Sequence, residues 1–320
     1  MSGTNDAAAI EALGHWGGSD RPPRMISERE NAVFEVALVN APRAALRLHR
    51  AGYNSPSAVQ SELWWSGQLA AKGFPTPSPI PANDGRLSVA LSDGRIATML
   101  NWAEGEAIGS TDLPLAGSRA DQCALYHDLG SLLARLHAIS DELSLPPAFD
   151  RRNWDIDGFL GDQPLWGRFW ENPALNAQDL GLINAARVRA IADLKRYAAE
   201  GADRGLIHAD PLRENVFRNA GGLALIDFDD SGFGFRLYDL TTALSQSLDD
   251  DNYGDLRSAI LAGYAEQRPL DDQAEHLFSL FAMLRTFASL GWVMPRLSAN
   301  HPAIPRYVGR ARKAVNAYLR

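Results

Sequence analysis

The part of the chain richest in reactive side chains is His208-Ala209-Asp210-Pro211-Leu212-Arg213-Glu214-Asn215. Twelve residues beyond Asn215 comes Asp227, inside Leu225-Ile226-Asp227-Phe228-Asp229-Asp230. Together they supply a carboxylate, a carboxamide five residues on, and a second carboxylate at the end of an apolar run. Phosphoryl transfer needs this set: one carboxylate takes the proton of the attacking hydroxyl, while an amide oxygen and another carboxylate hold Mg²⁺ on the nucleotide phosphates. A few oxygen ligands suit Mg²⁺, which keeps several waters and binds through substrate phosphates. Two other readings use the same residues. In one, His208 is a core histidine bonded to backbone and the aspartates cap turns. In the other, His208 and Asp210 join Asp227, Asp229 or Asp230 as ligands of a hydrolytic metal. Such sites usually gather more histidines, and the other six here are scattered. That reading also leaves Asn215 without a role.

Composition narrows the classes. The chain has 320 residues, 46% hydrophobic and 22% charged, enough for a sizeable core and two domains or lobes. Its 31 basic and 39 acidic residues give a net charge of -8, which argues against a general nucleic-acid partner. Lys72, Lys195 and Lys313 are the only lysines, and Gly73, Arg196 and Ala314 follow them. None can complete the GK[ST] of a P-loop, so a Walker-type ATPase is excluded. The lone Cys123 excludes an internal disulfide and a multi-cysteine zinc site, and reads as a buried helical thiol. No uninterrupted apolar run approaches the roughly 18 residues of a membrane span. Residues Met1 to Asp6 lack a basic, then apolar, leader pattern. The simplest expectation is a soluble, cytoplasmic protein with no membrane partner.

These side chains must be positioned by elements of two textures. Val33 to Val39 is rich in β-formers and Ala44 to His49 alternates, with turn residues Asn40 to Arg43 between them, which predicts an antiparallel hairpin. A helix is expected over Ser57 to Lys72, then a second hairpin from Leu87 to Leu91 and Arg95 to Leu100 around Ser92-Asp93-Gly94. After Trp102 the period is helical: Asp121 to Ile139, Ala185 to Ala199, Leu256 to Glu266, Asp272 to Leu290 and Arg306 to Leu319. Two short apolar runs, at Leu206-Ile207 and Leu223 to Ile226, lead directly into the polar clusters.

The H-x-D-x-x-x-x-N pattern of His208, Asp210 and Asn215, followed by Asp227, resembles the aminoglycoside phosphotransferase and choline kinase family. That family includes homoserine-kinase-like and stress-kinase-like bacterial branches and is related to protein kinases. Tyr238-Asp239-Leu240 and the Leu129-Gly130 to Leu136-His137 stretch fit its pattern as well. The resemblance runs from about Arg24 onward, is most specific over Leu206 to Leu240, and is weak after about Leu248. It implies an α+β, bilobal protein-kinase-like fold. The N-lobe, 1–101, would be a small antiparallel sheet with one helix, and the C-lobe, 102–320, larger and mainly helical. It also implies ATP and Mg²⁺ as cofactors, Asp210 as the catalytic base, and Asn215 and Asp227 as metal ligands. Arg47 stands where the family has its phosphate-holding lysine, with Glu62 as its helix partner and Arg50 as a competitor. The bland alternative for Arg47 is a solvated charge on a sheet edge. A guanidinium can pair with phosphate and carboxylate at once. The nucleotide-covering loop falls on Glu28 to Ala32; it has no glycine, and Asn31 tolerates a tight turn there. Met99 to Trp102 is the implied hinge, with Leu100 and Trp102 against adenine.

The implied partner is a small-molecule hydroxyl acceptor. The aromatics from Trp154 to Trp170 and the acidic Asp249-Asp250-Asp251 would suit a cationic amine, though for each taken alone a set of core anchors and a solvated turn are the stronger explanations. Asp229 and Asp230 are closer candidates for substrate or a second Mg²⁺. The alternatives are a protein Ser/Thr kinase and a nucleotide-binding pseudokinase, the latter motivated by the missing glycine loop and strand lysine.

Overall fold

The computed structural model describes residues 2–28, 31–39, 42–111, 113–270 and 272–320, with side chains from residue 4. Arg29 and Glu30 of the expected nucleotide-covering loop lie outside these residues, as do Asn40 and Ala41 of the first hairpin turn. The chain forms two compact units: Met1–Glu106 with Leu143–Arg151 and Phe217–Asp229, and Ala107–Glu142 with Arg152–Val216 and Asp230–Arg320.

The first unit opens with α1 (Ser2–Gly14), then β1 (Arg24–Glu28), β2 (Ala32–Ala37) and β3 (Arg43–Leu48). Helix α2 (Pro56–Ala71), β4 (Ser88–Ala90) and β5 (Ile96–Asn101) follow. The strands form one antiparallel sheet in the order β1-β2-β3-β5-β4, so both predicted hairpins are present. Along β2, Ala32, Phe34 and Val36 turn inward and their neighbours turn outward, as strand periodicity requires. Ala8, Ala9, Ala12 and Leu13 of α1 join Phe34, Val36, Leu46 and Met99 in one core. Helix α1 is not anticipated above, because an alanine-rich helix presents small side chains and little periodic contrast. Helix α2 starts where the sequence suggests: the Ser55 hydroxyl accepts from the Ala58 amide at 3.0 Å and Pro56 occupies the first turn.

Chain order continues with β6 (Glu106–Ala107), α3 (Arg119–Asp141), β7 (Arg152–Trp154), α4 (Ile156–Leu160) and α5 (Ala177–Ala199). Then come β8 (Arg204–Ile207), β9 (Val216–Asn219), β10 (Gly222–Leu225) and β11 (Gly232–Phe235). Helices α6 (Arg236–Leu244), α7 (Tyr253–Gln267), α8 (Ala274–Val293) and α9 (Ile304–Leu319) complete it. In the second unit, β11 lies between β7, parallel to it, and β8, antiparallel. A further sheet has the order β10-β9-β6. Helix α5 begins eight residues before the predicted Ala185, because Asn176 and Asp179 cap it reciprocally and its first turns are polar. Helices α3 and α7 meet at glycines. A Cβ on Gly130 would stand 2.0 Å from the Ile260 carbonyl oxygen, and one on Gly263 would stand 1.9 Å from that of His127. Cys123, expected to be buried on α3, is only half-buried. Among the described residues, α8 is the one helix long and apolar enough to cross a membrane, yet 72% of that stretch is buried as a core helix would be.

Candidate active site

The candidate base stands on a turn that one buried carboxylate shapes. Where the chain leaves β8, Ala209 adopts φ 66°, a conformation costing a non-glycine residue about 1–2 kcal/mol. Asp239, fully buried in the first turn of α6, offsets that cost by taking two amides at once. Its Oδ2 accepts from the His208 amide at 2.8 Å and its Oδ1 from the Ala209 amide at 2.7 Å. His137 Nε2 lies 3.0 Å from the same carboxylate and its Nδ1 lies 2.9 Å from the Tyr264 hydroxyl. Burial, then the Arg236 charge, hold His137 well below the usual histidine range. The neutral ring therefore donates from Nε2 to Asp239 and accepts the Tyr264 proton at Nδ1. Burial pushes Asp239 up from the ordinary carboxylate value, against the pull of His208 and the two amides.

This turn presents Asp210, whose two carboxylate oxygens are both engaged. Oδ2 accepts from Asn215 Nδ2 at 3.1 Å, and that same nitrogen donates to the Asp210 backbone carbonyl at 2.9 Å. With its nitrogen committed, Asn215 has Oδ1 to offer a metal. Oδ1 of Asp210 accepts from Arg285 Nη2 at 2.8 Å. Arg285, on α8, is absent from the sequence prediction. The signal was present all the same: Arg285 is the sole charge between Leu277 and Val293, and a lone charge in an apolar helix must find a partner.

In the first unit, β3 and α2 place Arg47 and Glu62 together, as the resemblance implies. Both are buried, and Arg47 Nη1 donates to Glu62 Oε1 at 2.5 Å. Nη2 of Arg47 donates to Oδ1 of Asp227. Burial opposes the charge on Arg47, but Asp227, Glu62 and Asp229 outweigh it and hold the guanidinium above its ordinary value. Arg47 is thus a fixed cation and no solvated edge charge. Asp227 follows β10 at φ 64°, a region that Asp tolerates better than most residues, and its side chain stays 43% exposed. The bend is anchored on both sides. Arg151 Nη2 donates to the Phe228 and Asp229 carbonyls at 2.9 and 2.6 Å, and the Phe228 ring meets Trp65 edge-on at 5.1 Å. The carboxylate of Asp227 and the carboxamide oxygen of Asn215 are hard oxygen donors, few in number, and so have the chemistry Mg²⁺ requires.

The other predicted positions sit among the following neighbours. Asn31 is buried, and its Oδ1 accepts from the Arg50 amide at 3.1 Å. Leu100 pairs with Ala45 across β5 and β3, while the neighbouring Met99 carbonyl and Asn101 amide are taken by Ile80 and Ser78 at 2.8 and 2.9 Å. Trp102 carries the Arg43 guanidinium 4.6 Å above its ring. Asp229 is buried and accepts from Asn54 Nδ2 at 2.9 Å, and Asp230 is held by Arg152 at 2.6 Å. Trp154 is a core anchor stacked on Tyr238 at 5.4 Å. Trp170 lies beneath the Arg187 guanidinium at 4.1 Å. Asp249 and Asp250 pair with Arg310 and Arg213 at 2.8 and 3.2 Å. His208 is wholly buried and its Nδ1 accepts from the Asp210 amide at 3.3 Å, which makes it a brace for the turn. Among the described residues, no three His, Cys, Asp or Glu side chains gather as a ligand set, as the hydrolase reading would need.

Comparison with known proteins identifies the family and the fold. The model of a phosphotransferase enzyme family matches residues 24–277. A homoserine kinase of Mesorhizobium japonicum is 30% identical over 236 residues, which are 72% of this chain and 66% of that one. The chain thus spans just under two thirds of that relative's length. Among solved structures, a microcompartment-associated aminopropanol kinase superposes with TM-score 0.82 at 28% identity, over 98% of this chain and 97% of that one. An amicoumacin kinase in complex with AMP-PNP, Ca²⁺ and Ami has the same fold, with TM-score 0.76 at 18% identity over 99% and 93% of the two chains. The chain belongs to the phosphotransferase enzyme family, kinases of protein-kinase-like α+β fold that transfer phosphate to hydroxyl groups.

Proposed function

We propose that this protein transfers the γ-phosphoryl group of Mg²⁺-ATP to a hydroxyl of a small molecule. The observation that carries the reading is the Asp210 carboxylate, fixed at both oxygens on a strained turn, with Asn215 at its side. Asp210 would accept the acceptor's hydroxyl proton as its oxygen attacks phosphorus, and ADP would leave. Asn215 and Asp227 would hold Mg²⁺, whose charge offsets that of the phosphates. Arg47, kept in place by Glu62, would bind the phosphates; its planar fork can pair with a carboxylate and a phosphate through different nitrogens. We assign the nucleotide to residues 1–101, with Asn31 supporting the covering loop and Leu100 and Trp102 near adenine, and the acceptor to 102–320.

Homoserine, aminopropanol and amicoumacin, the compounds in the relatives' names, each make a small hydroxyl acceptor the first choice here. The test is ADP release from Mg²⁺-ATP over a panel of homoserine, aminopropanol, choline, aminoglycosides and uncharged alcohols, with calorimetry of Mg²⁺-ATP binding alongside. One strongly preferred acceptor is the expected outcome. Binding without transfer to any of them would favour a nucleotide sensor, and transfer to serine or threonine of a protein would move the acceptor class.

A further inference from the structure

Helix α8 reaches the candidate base from a part of the chain beyond residue 277, where the family match ends. Its contribution is Arg285, the one charge in seventeen residues of otherwise uncharged helix from Leu277 to Val293. An apolar side chain of similar volume would pack at 285 at lower desolvation cost, so the charge is poorly explained by stability. The guanidinium is held on two sides. Nη2 donates to Asp210 Oδ1 at 2.8 Å, and the Trp166 ring lies 4.8 Å from its central carbon. Trp166 is itself tied, its Nε1 donating to Asp230 Oδ1 at 3.3 Å, and Arg152 pairs with that same oxygen at 2.6 Å. Burial disfavours the charge on Arg285, but Asp210, then Tyr238 and Asp230, outweigh it.

We infer that Arg285 is a positioning residue for phosphoryl transfer, fixing the rotation of the Asp210 carboxylate so that Oδ2 faces the acceptor hydroxyl. The inference rests on the phosphotransfer reading above. Oδ1 is held by a charged donor, and a carboxylate oxygen carries more than one acceptor site, so Oδ2 can take the proton beside the Asn215 amide. As the acceptor oxygen bonds to the γ-phosphorus, its proton passes to Oδ2, the bond from that phosphorus to the β–γ bridging oxygen breaks, and ADP carries away the electron pair. Without Arg285 the carboxylate rotates about its last bond, and the reactive geometry becomes one of several. A misplacement of about 1 Å is worth on the order of a hundredfold in rate.

The test compares Arg285→Met and Arg285→Lys with the parent, using Mg²⁺-ATP with the fastest acceptor of the panel and with water alone. Arg285→Met should lower kcat by about a hundredfold with the Mg²⁺-ATP dissociation constant within about twofold of the parent, and Arg285→Lys should recover about tenfold of that loss. In an Asp210→Asn background, Arg285→Met should change kcat less than about twofold, because the group it orients is already disabled. Three results overturn the inference: kcat of a folded Arg285→Met within about threefold of the parent, a kcat loss undiminished in the Asp210→Asn background, or ATP affinity falling in step with kcat. Should Arg285→Met fail to fold, Arg285→Lys decides, and full activity there overturns the inference. A parent that releases no ADP with any acceptor or water refutes the phosphotransfer reading instead.

Discussion

Replacing Arg47 by methionine keeps most of the buried stem and removes the fork, and the two carboxylates it serves should respond unequally. Glu62 is 3% exposed and loses its 2.5 Å partner; the nearest other cation, Arg151 Nη1, lies 3.9 Å from the opposite oxygen. Stranding a buried charge in this way costs about 3–5 kcal/mol. Asp227 loses a partner too, but its half-exposed carboxylate regains water, and an exposed pair is worth about 0–1 kcal/mol. The sum is about 3–6 kcal/mol, with Arg151 moving it toward the lower end. For a unit of this size each kcal/mol shifts the midpoint about 2–8 °C, so Arg47→Met should melt at least about 6 °C below the parent. The assay is thermal unfolding of Arg47→Met, Glu62→Gln and the double variant, since the cycle separates the pair from general packing loss. The double variant should be more stable than the sum of the single losses by about 2 kcal/mol, because the neutral carboxamide that Glu62→Gln introduces leaves no charge to strand. An Arg47→Met protein melting within about 2 °C of the parent would refute the reasoning, as would strictly additive losses.

Three further outcomes follow from the same geometry. Asp227→Ala should weaken Mg²⁺-dependent ATP binding in calorimetry by about tenfold or more; unchanged metal-linked affinity would remove Asp227 from the site. Gly130→Ala places a Cβ against the Ile260 carbonyl and should destabilise by about 1–3 kcal/mol through forced separation of α3 and α7, read by chemical denaturation; a neutral change would deny that crossing. His49 and His137 are both held well below the usual 6.5, His49 by burial and then Arg47 and Arg151. Because their folded values are depressed, the stability they contribute is present above about pH 6.5 and is lost as pH falls, at about 1.4 kcal/mol per unit for each. His137→Gln should flatten that acid limb in melting experiments, and an unchanged slope would contradict it.

The site was legible where its chemistry is local in sequence. Asp210 and Asn215 lie five residues apart on one turn and Asp227 follows a short strand, which spacing brings out, while Arg47 and Glu62, on a strand and the helix after it, are paired only through the family resemblance. Arg285 was missed because its partner lies 75 residues away and no spacing rule connects a helix face to a turn. Asp239 was matched as part of a pattern, while its task of holding two amides of a strained turn appears only in three dimensions. Of the residues the sequence offers as acceptor contacts, Trp154 packs on Tyr238, Asp229 accepts from Asn54, and Asp230, Asp249 and Asp250 pair with arginines. Residue type reports what a side chain can do, and burial decides which of those things it is left to do.

The central claim is that Asp210 takes a hydroxyl proton during transfer from ATP. It is tested most directly by ³¹P NMR of parent and Asp210→Asn proteins given Mg²⁺-ATP and the preferred acceptor. The account predicts a new phosphate-ester resonance growing with ADP in the parent, and a rate lowered by about 10²–10⁴ in Asp210→Asn with ATP affinity nearly unchanged. Equal rates of ester formation in the two proteins would contradict it.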